Sequence, residues 1–154
     1  MNEAQTLKTL QLFYAGALVD AVRQYHKHGV LEAVTEGKRR EQEQAAPAQL
    51  ARLGIEKPEA IFTTFTTLFG CADWKVQADG NGVHAETKTC LACGIAKKLG
   101  APAPCTISCI NPLGAQAAAL DPPHRLEVGR TLWEGESCVF KMVPASGEPE
   151  GSPA

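Results

Sequence analysis

The hydrophobic period of this chain changes at Gly70-Cys71. Before that point apolar residues recur every three or four positions, the spacing of one helix face; after it, two stretches alternate apolar and polar residues, as half-buried strands do. Leu7, Leu10, Tyr14, Ala17, Ala21 and Tyr25, widened by Leu18 and Val22, outline an amphipathic helix within residues 4–36. That stripe is expected to face the core. Gly29 ends or kinks this helix, and Val30, Leu31 and Val34 form a short second apolar group. Residues 36–46 are polar and aperiodic, a solvated helix or a linker. Pro47 and Pro58 are each placed in the first turn of a helix, where a missing N–H costs nothing. Ile61, Phe62, Phe65 and Leu68 give the latter helix its stripe, and Gly70 is its stop.

Beyond Cys71 the pattern predicts a strand over 74–78, the turn Asp79-Gly80-Asn81-Gly82 and a return strand over 83–89. A helix is expected from Leu91 to Leu99, closed by Gly100, and another from Cys105 to Leu120, with Asn111-Pro112 the place where its start would be delayed. Arg125–Leu132 and Ser137–Val143 form a second hairpin about residues 133–136. From Pro144 onward, Gly, Ser, Pro and Glu leave nothing to bury, so a disordered tail is expected over 144–154. The fold class is therefore α+β: N-terminal helices, then two β-hairpins forming an antiparallel sheet covered by helices. A single domain over 1–143 is expected, with an N-terminal helical part (1–46) and a cysteine-bearing core (47–143).

Composition excludes some partners. The net charge is −2, and Lys38-Arg39-Arg40 is followed at once by Glu41 and Glu43, so no electrostatic footprint for nucleic acid is expected. No apolar run approaches the roughly 20 residues that span a bilayer. The start Met1-Asn2-Glu3-Ala4 lacks a basic patch followed by an apolar core, which makes the cytoplasm the expected location. Thiols are kept reduced there, so the six cysteines read first as metal ligands, reactive thiols or buried packing groups.

Those cysteines are Cys71, Cys90, Cys93, Cys105, Cys109 and Cys138. Four make the pattern C-x2-C-x11-C-x3-C between residues 90 and 109. Tetrahedral zinc takes four thiolates about 2.3 Å away. On helices, Cys90 with Cys93 and Cys105 with Cys109 would each share a face, so two facing pairs would close a site. The candidate ligands are Cys90, Cys93, Cys105, Cys109 and Cys138, with zinc ahead of iron or an iron–sulfur centre; Cys71 reads as packing. The second pair has x3 where zinc ribbons usually have x2, and free cysteine is also a common core residue. Cys90-Leu91-Ala92-Cys93 at a helix start also admits a dithiol redox reading. Cys138 shares a strand face with Phe140. His26 and His28 stand two apart on a helix and do not share a face; His84 and His124 read as surface histidines, with His124 a speculative general base.

With these residues in view, Gly54–Val143 resembles the L-2-amino-thiazoline-4-carboxylic acid hydrolase family and, more loosely, 4-vinyl reductase-type ligand-binding domains. The resemblance rests on Leu68-Phe69-Gly70, Ala72-Asp73-Trp74-Lys75-Val76, Cys90 before a helix ending Leu99-Gly100, Cys105-Thr106-Ile107-Ser108-Cys109, and the hairpin Arg130–Phe140. It implies an α+β domain with cysteines around an internal pocket. Members near this pattern often carry an aspartate where this chain has Asn111, and an amide takes up no proton near neutral pH. Three functions stay open. One is a cysteine-lined domain binding a metal ion or small molecule. Another is a hydrolase of a small cyclic amidine or amide, with Cys109 as nucleophile or metal-bound water as attacker and His124 as base. The third is a structural domain with buried thiols that forms a homodimer.

Overall fold

The computed structural model describes residues 1–146. Three helices open the chain: α1 (Glu3–Lys27), α2 (Leu31–Leu53) and α3 (Pro58–Phe69). A hairpin of β1 (Lys75–Asp79) and β2 (Gly82–Thr87) follows, then α4 (Leu91–Leu99), a π-helical turn (Thr106–Ile110) and α5 (Asn111–Ala118). β3 (His124–Arg130) and β4 (Cys138–Pro144) complete an antiparallel sheet of order β1-β2-β4-β3. The fold is α+β, helices first and two hairpins in one sheet, as the change of period implies. Among the described residues no helix is long and apolar enough to cross a membrane.

Local chemistry explains most boundaries. The Asn2 side chain accepts from Gln5 N–H while the Gln5 side chain accepts from Asn2 N–H, a capping box that starts α1. Pro58 sits in the first turn of α3, and Gly70 closes it in the left-handed region. Asp79 Oδ1 accepts from Asn81 N–H at 2.8 Å across the first hairpin turn. Gly82 follows with φ 131°, and a Cβ there would collide with the backbone carbonyl of Met142 on the neighbouring β4. Gly82→Ala is therefore expected to lower stability by about 1–3 kcal/mol, read from the urea midpoint, against no loss for Gly94→Ala, where a Cβ meets open space.

Three expectations are corrected. First, Pro47 does not open a helix: α2 runs unbroken through it. An internal proline costs about 3 kcal/mol, and here burial of Ala46 and Leu50 and packing of α2 on α5 oppose that cost. The polar stretch 36–46 is helical, and Arg39 bridges Glu36 and Glu43 along one face. Second, the stripe assigned to the buried side of α1 is largely outside: Leu7, Leu10 and Tyr14 are 44%, 61% and 50% exposed. Ala15, Val19 and Val22 are the buried residues. Small side chains let α1 approach Ala92 and Ala96 of α4 closely, so the neighbouring sector wins. Third, Pro144 belongs to β4 rather than to a tail; residues 147–154 lie outside the described residues.

Two apolar clusters result. The larger lies between the sheet and α3 and α5, where Phe62, Trp74, Leu113, Phe140 and Met142 meet. The smaller joins α1 to α4 around Val19, Ala92, Ala96 and Ala101.

Candidate functional site

All six cysteines line one cavity of about 330 Å³. They come from four places: Cys71 after α3, Cys90 and Cys93 at the start of α4, Cys105 and Cys109 about the π turn, and Cys138 at the start of β4. Cys109 and Cys138 belong to the sheet-side cluster, whereas Cys71 and Cys90 pack against the α1–α4 cluster. The cavity is the seam between the two. Its other walls are mostly apolar, with Phe65, Phe69, Trp74 and Phe140 among them. That volume and that lining suit a small ligand pocket.

The sulfurs do not pair as their spacing suggests. Cys105 lies 3.7 Å from Cys93, and Cys90 lies 3.9 Å from Cys71, so each close pair joins separate segments. Cys71, read from the sequence as packing, is thus part of the thiol set. Cys90 is not inside the helix but caps it, with extended φ −148°, and its sulfur accepts from Cys93 N–H at 3.4 Å. The Cys71 sulfur accepts from Ala92 N–H at 3.3 Å, and Leu91 N–H donates to the Cys71 carbonyl at 2.7 Å. The first turn of α4 therefore aims its free N–H groups at two sulfurs, the arrangement that a helix N-terminus offers to an anion.

The π turn sets the next two thiols. Asn111 N–H reaches back to the Thr106 carbonyl, one residue beyond the α-helical partner. Pro112 then stands in the first turn of α5, where it withholds no needed donor. Such single π turns recur at functional sites. On β4, alternation brings Cys138, Phe140 and Met142 inward, and Cys138 Sγ accepts from Leu132 N–H at 3.1 Å.

Proton affinity differs sharply among the thiols. Hydrogen bonding to the Cys71 thiol, then to Cys93 and to nearby backbone N–H groups, holds Cys90 well below the ordinary thiol range despite burial. Cys71 is pushed up by the same Cys90 contact and by burial. The Cys93 contact lowers Cys105, and Cys93 itself is raised by that contact and by Cys90. Burial raises Cys109 and Cys138. Within each close pair the proton is thus drawn to one sulfur, toward Cys71 rather than Cys90 and toward Cys93 rather than Cys105.

Two amides add a polar end. Gln42 Nε2 donates to the Ile107 carbonyl at 3.3 Å, which leaves its Oε1 buried without a partner. Gln116, 3% exposed, gives its Nε2 to Gln49 Oε1 at 3.3 Å, and its Oε1 is likewise unpartnered. Sequence reading missed both, because a single glutamine, on polar α2 or on the mostly apolar α5, carries no pattern that marks it as part of a cavity wall.

His124 is not brought to the thiols. It begins β3 opposite Pro144, with its Nδ1 2.9 Å from the Pro122 carbonyl, and none of the four histidines lines the cavity. Burial raises Cys109, the expected nucleophile, which favours its neutral form. Among the described residues, no group of three or more His, Cys, Asp or Glu side chains forms a ready metal site. No family model matches the chain, and no similar curated protein and no similar solved structure is found.

Proposed function

We propose that this protein binds a soft metal through the thiolates of its cavity, as a binding or sensing domain rather than a hydrolase. The observation that carries the reading is the convergence of all six cysteines, spread over 68 positions from 71 to 138, on one cavity. Burial of thiols as mere packing would not align helix N–H donors on Cys71 and Cys90. Thiolate ligation needs deprotonated sulfur, and hydrogen bonding with Cys71, then Cys93 and the first N–H groups of α4, favours it at Cys90.

The hydrolase reading is weaker on two counts: no histidine lines the cavity, and Asn111 takes the place of an expected acid. A second binding reading has its own support. The unpartnered Oε1 atoms of Gln42 and Gln116 would accept N–H or O–H donors from a small organic ligand whose body packs on the aromatic wall.

Metal analysis and thiol counting on protein purified without oxygen test the proposal. Bound zinc or iron is expected at one or more equivalents per chain, with most of the six thiols unreactive in the native state until a chelator is added. Cys90→Ser should abolish binding. Metal-free protein that takes up neither zinc nor iron would sink the proposal.

A further inference from the structure

We propose that the metal centre is binuclear: a [2Fe–2S] cluster, with Cys71 and Cys90 on one iron and Cys93 and Cys105 on the other. This rests on the metal-binding reading above and names its metal.

Two thiolates bound to one tetrahedral metal at about 2.3 Å stand roughly 3.8 Å apart. The Cys71–Cys90 and Cys93–Cys105 sulfurs stand 3.9 and 3.7 Å apart. Each pair is therefore spaced to hold one metal. A single zinc needs three or four ligands about one point, and among the described residues no such group exists. What the fold offers is two half-filled tetrahedra. Cys90 and Cys93 hold them side by side, because they are separated by one turn and tied by the Cys93 N–H to Cys90 Sγ bond. Bridging atoms must fill the remaining positions. The cavity of about 330 Å³ leaves room for inorganic sulfide.

The assembly balances. Four thiols lose four protons, two ferric ions bring six positive charges, and two sulfides bring four negative ones, so the centre carries a charge of −2. No protein sulfur is oxidised. N–H groups directed at cluster sulfurs are a recognised means of stabilising such charge. Ala92 N–H and Cys93 N–H already point at Cys71 and Cys90, at the positive end of α4. The mostly apolar wall limits the access of water.

The experiment is anaerobic reconstitution of the full chain with ferric iron, sulfide and a thiol reductant. Iron and acid-labile sulfide are then counted, with visible absorption and, after one-electron reduction, electron paramagnetic resonance. Two irons and two sulfides per chain, with a half-integer-spin signal on reduction, are the expected result. Cys71→Ala and Cys105→Ala, one from each pair, should each lose the visible band; circular dichroism shows whether each variant stays folded. One metal per chain without sulfide would overturn the cluster while leaving the metal-binding reading intact. Four irons and four sulfides, or two metals without sulfide, would also overturn it. Failure to bind any metal would remove both readings together.

Discussion

Phe140→Ala is expected to lower the unfolding free energy by about 3–5 kcal/mol. Phe140 is 1% exposed, and its ring centre lies 5.0 Å from that of Trp74, which in turn stacks edge-on with Phe62 at 5.2 Å. It sits opposite Ala85 on β2 and Val128 on β3, and neither cross-strand partner is large enough to fill the space it leaves. It also forms part of the cavity wall, and the lost volume would merge with space already there. Collapse is thus resisted from two sides, which places the effect in the upper part of the range. Urea unfolding measures it, and Leu10→Ala on the exposed side of α1 serves as the contrast, within about 0.5 kcal/mol of the parent. A loss under about 1 kcal/mol at Phe140 would show that the sheet core repacks freely. The same variant should speed reaction of Cys109 and Cys138, which share its cluster.

In chelator-treated protein at about pH 6, Cys90 is expected to react with iodoacetamide roughly 100-fold faster than Cys109. The thiolate is the reacting species, and for an ordinary thiol its fraction falls about tenfold for each pH unit below the pKa. Donors around Cys90 hold its pKa low, so its rate should be nearly flat as pH falls from about 8 to 6. Burial moves Cys109 the other way. A low-pKa thiolate is also a weaker nucleophile, which trims the contrast without reversing it. Stability follows the same signs. The Cys90 contribution is present above the unfolded-state pKa and is lost as pH falls through the lower folded value. The Cys109 contribution is full below its unfolded pKa and fades as pH rises toward its higher folded one. Cys71→Ala removes the foremost hydrogen-bonding partner of Cys90 and should restore a steep pH dependence. Peptide mapping of the alkylated cysteines reads every position at once. Equal rates at Cys90 and Cys109 across that range would refute the thiolate at the α4 start.

Short-range signals were enough for much of the fold. Gly70 and Gly100 end helices because they accept positive φ, and Asp79–Gly82 makes a tight hairpin turn through its own side chain and glycines. Alternation in β4 placed Cys138 beside Phe140 on the inner face, as observed. These features depend on residues within a few positions of each other. Features that depend on a distant partner were not legible. Pro47 fits either a helix start or a helix interior, and only packing of α2 on α5 selects the second. On α1 apolar and small residues occupy more than one sector, so periodicity alone cannot say which of them meets α4.

The candidate site divides in the same way. From the sequence come the thiol chemistry itself, its confinement to the region after Gly70, the start of α4 at Cys90, and the antiparallel hairpins that carry Cys138. Only the tertiary structure decides that Cys71 joins the set, that the close pairs are Cys71 with Cys90 and Cys93 with Cys105, and that His124 stays away. The physical reason is the reach of each determinant. Turn, cap and strand preferences act within one or two turns of chain, whereas sulfur pairing is set by how α4, the π turn and the end of α3 pack across the seam between two cores.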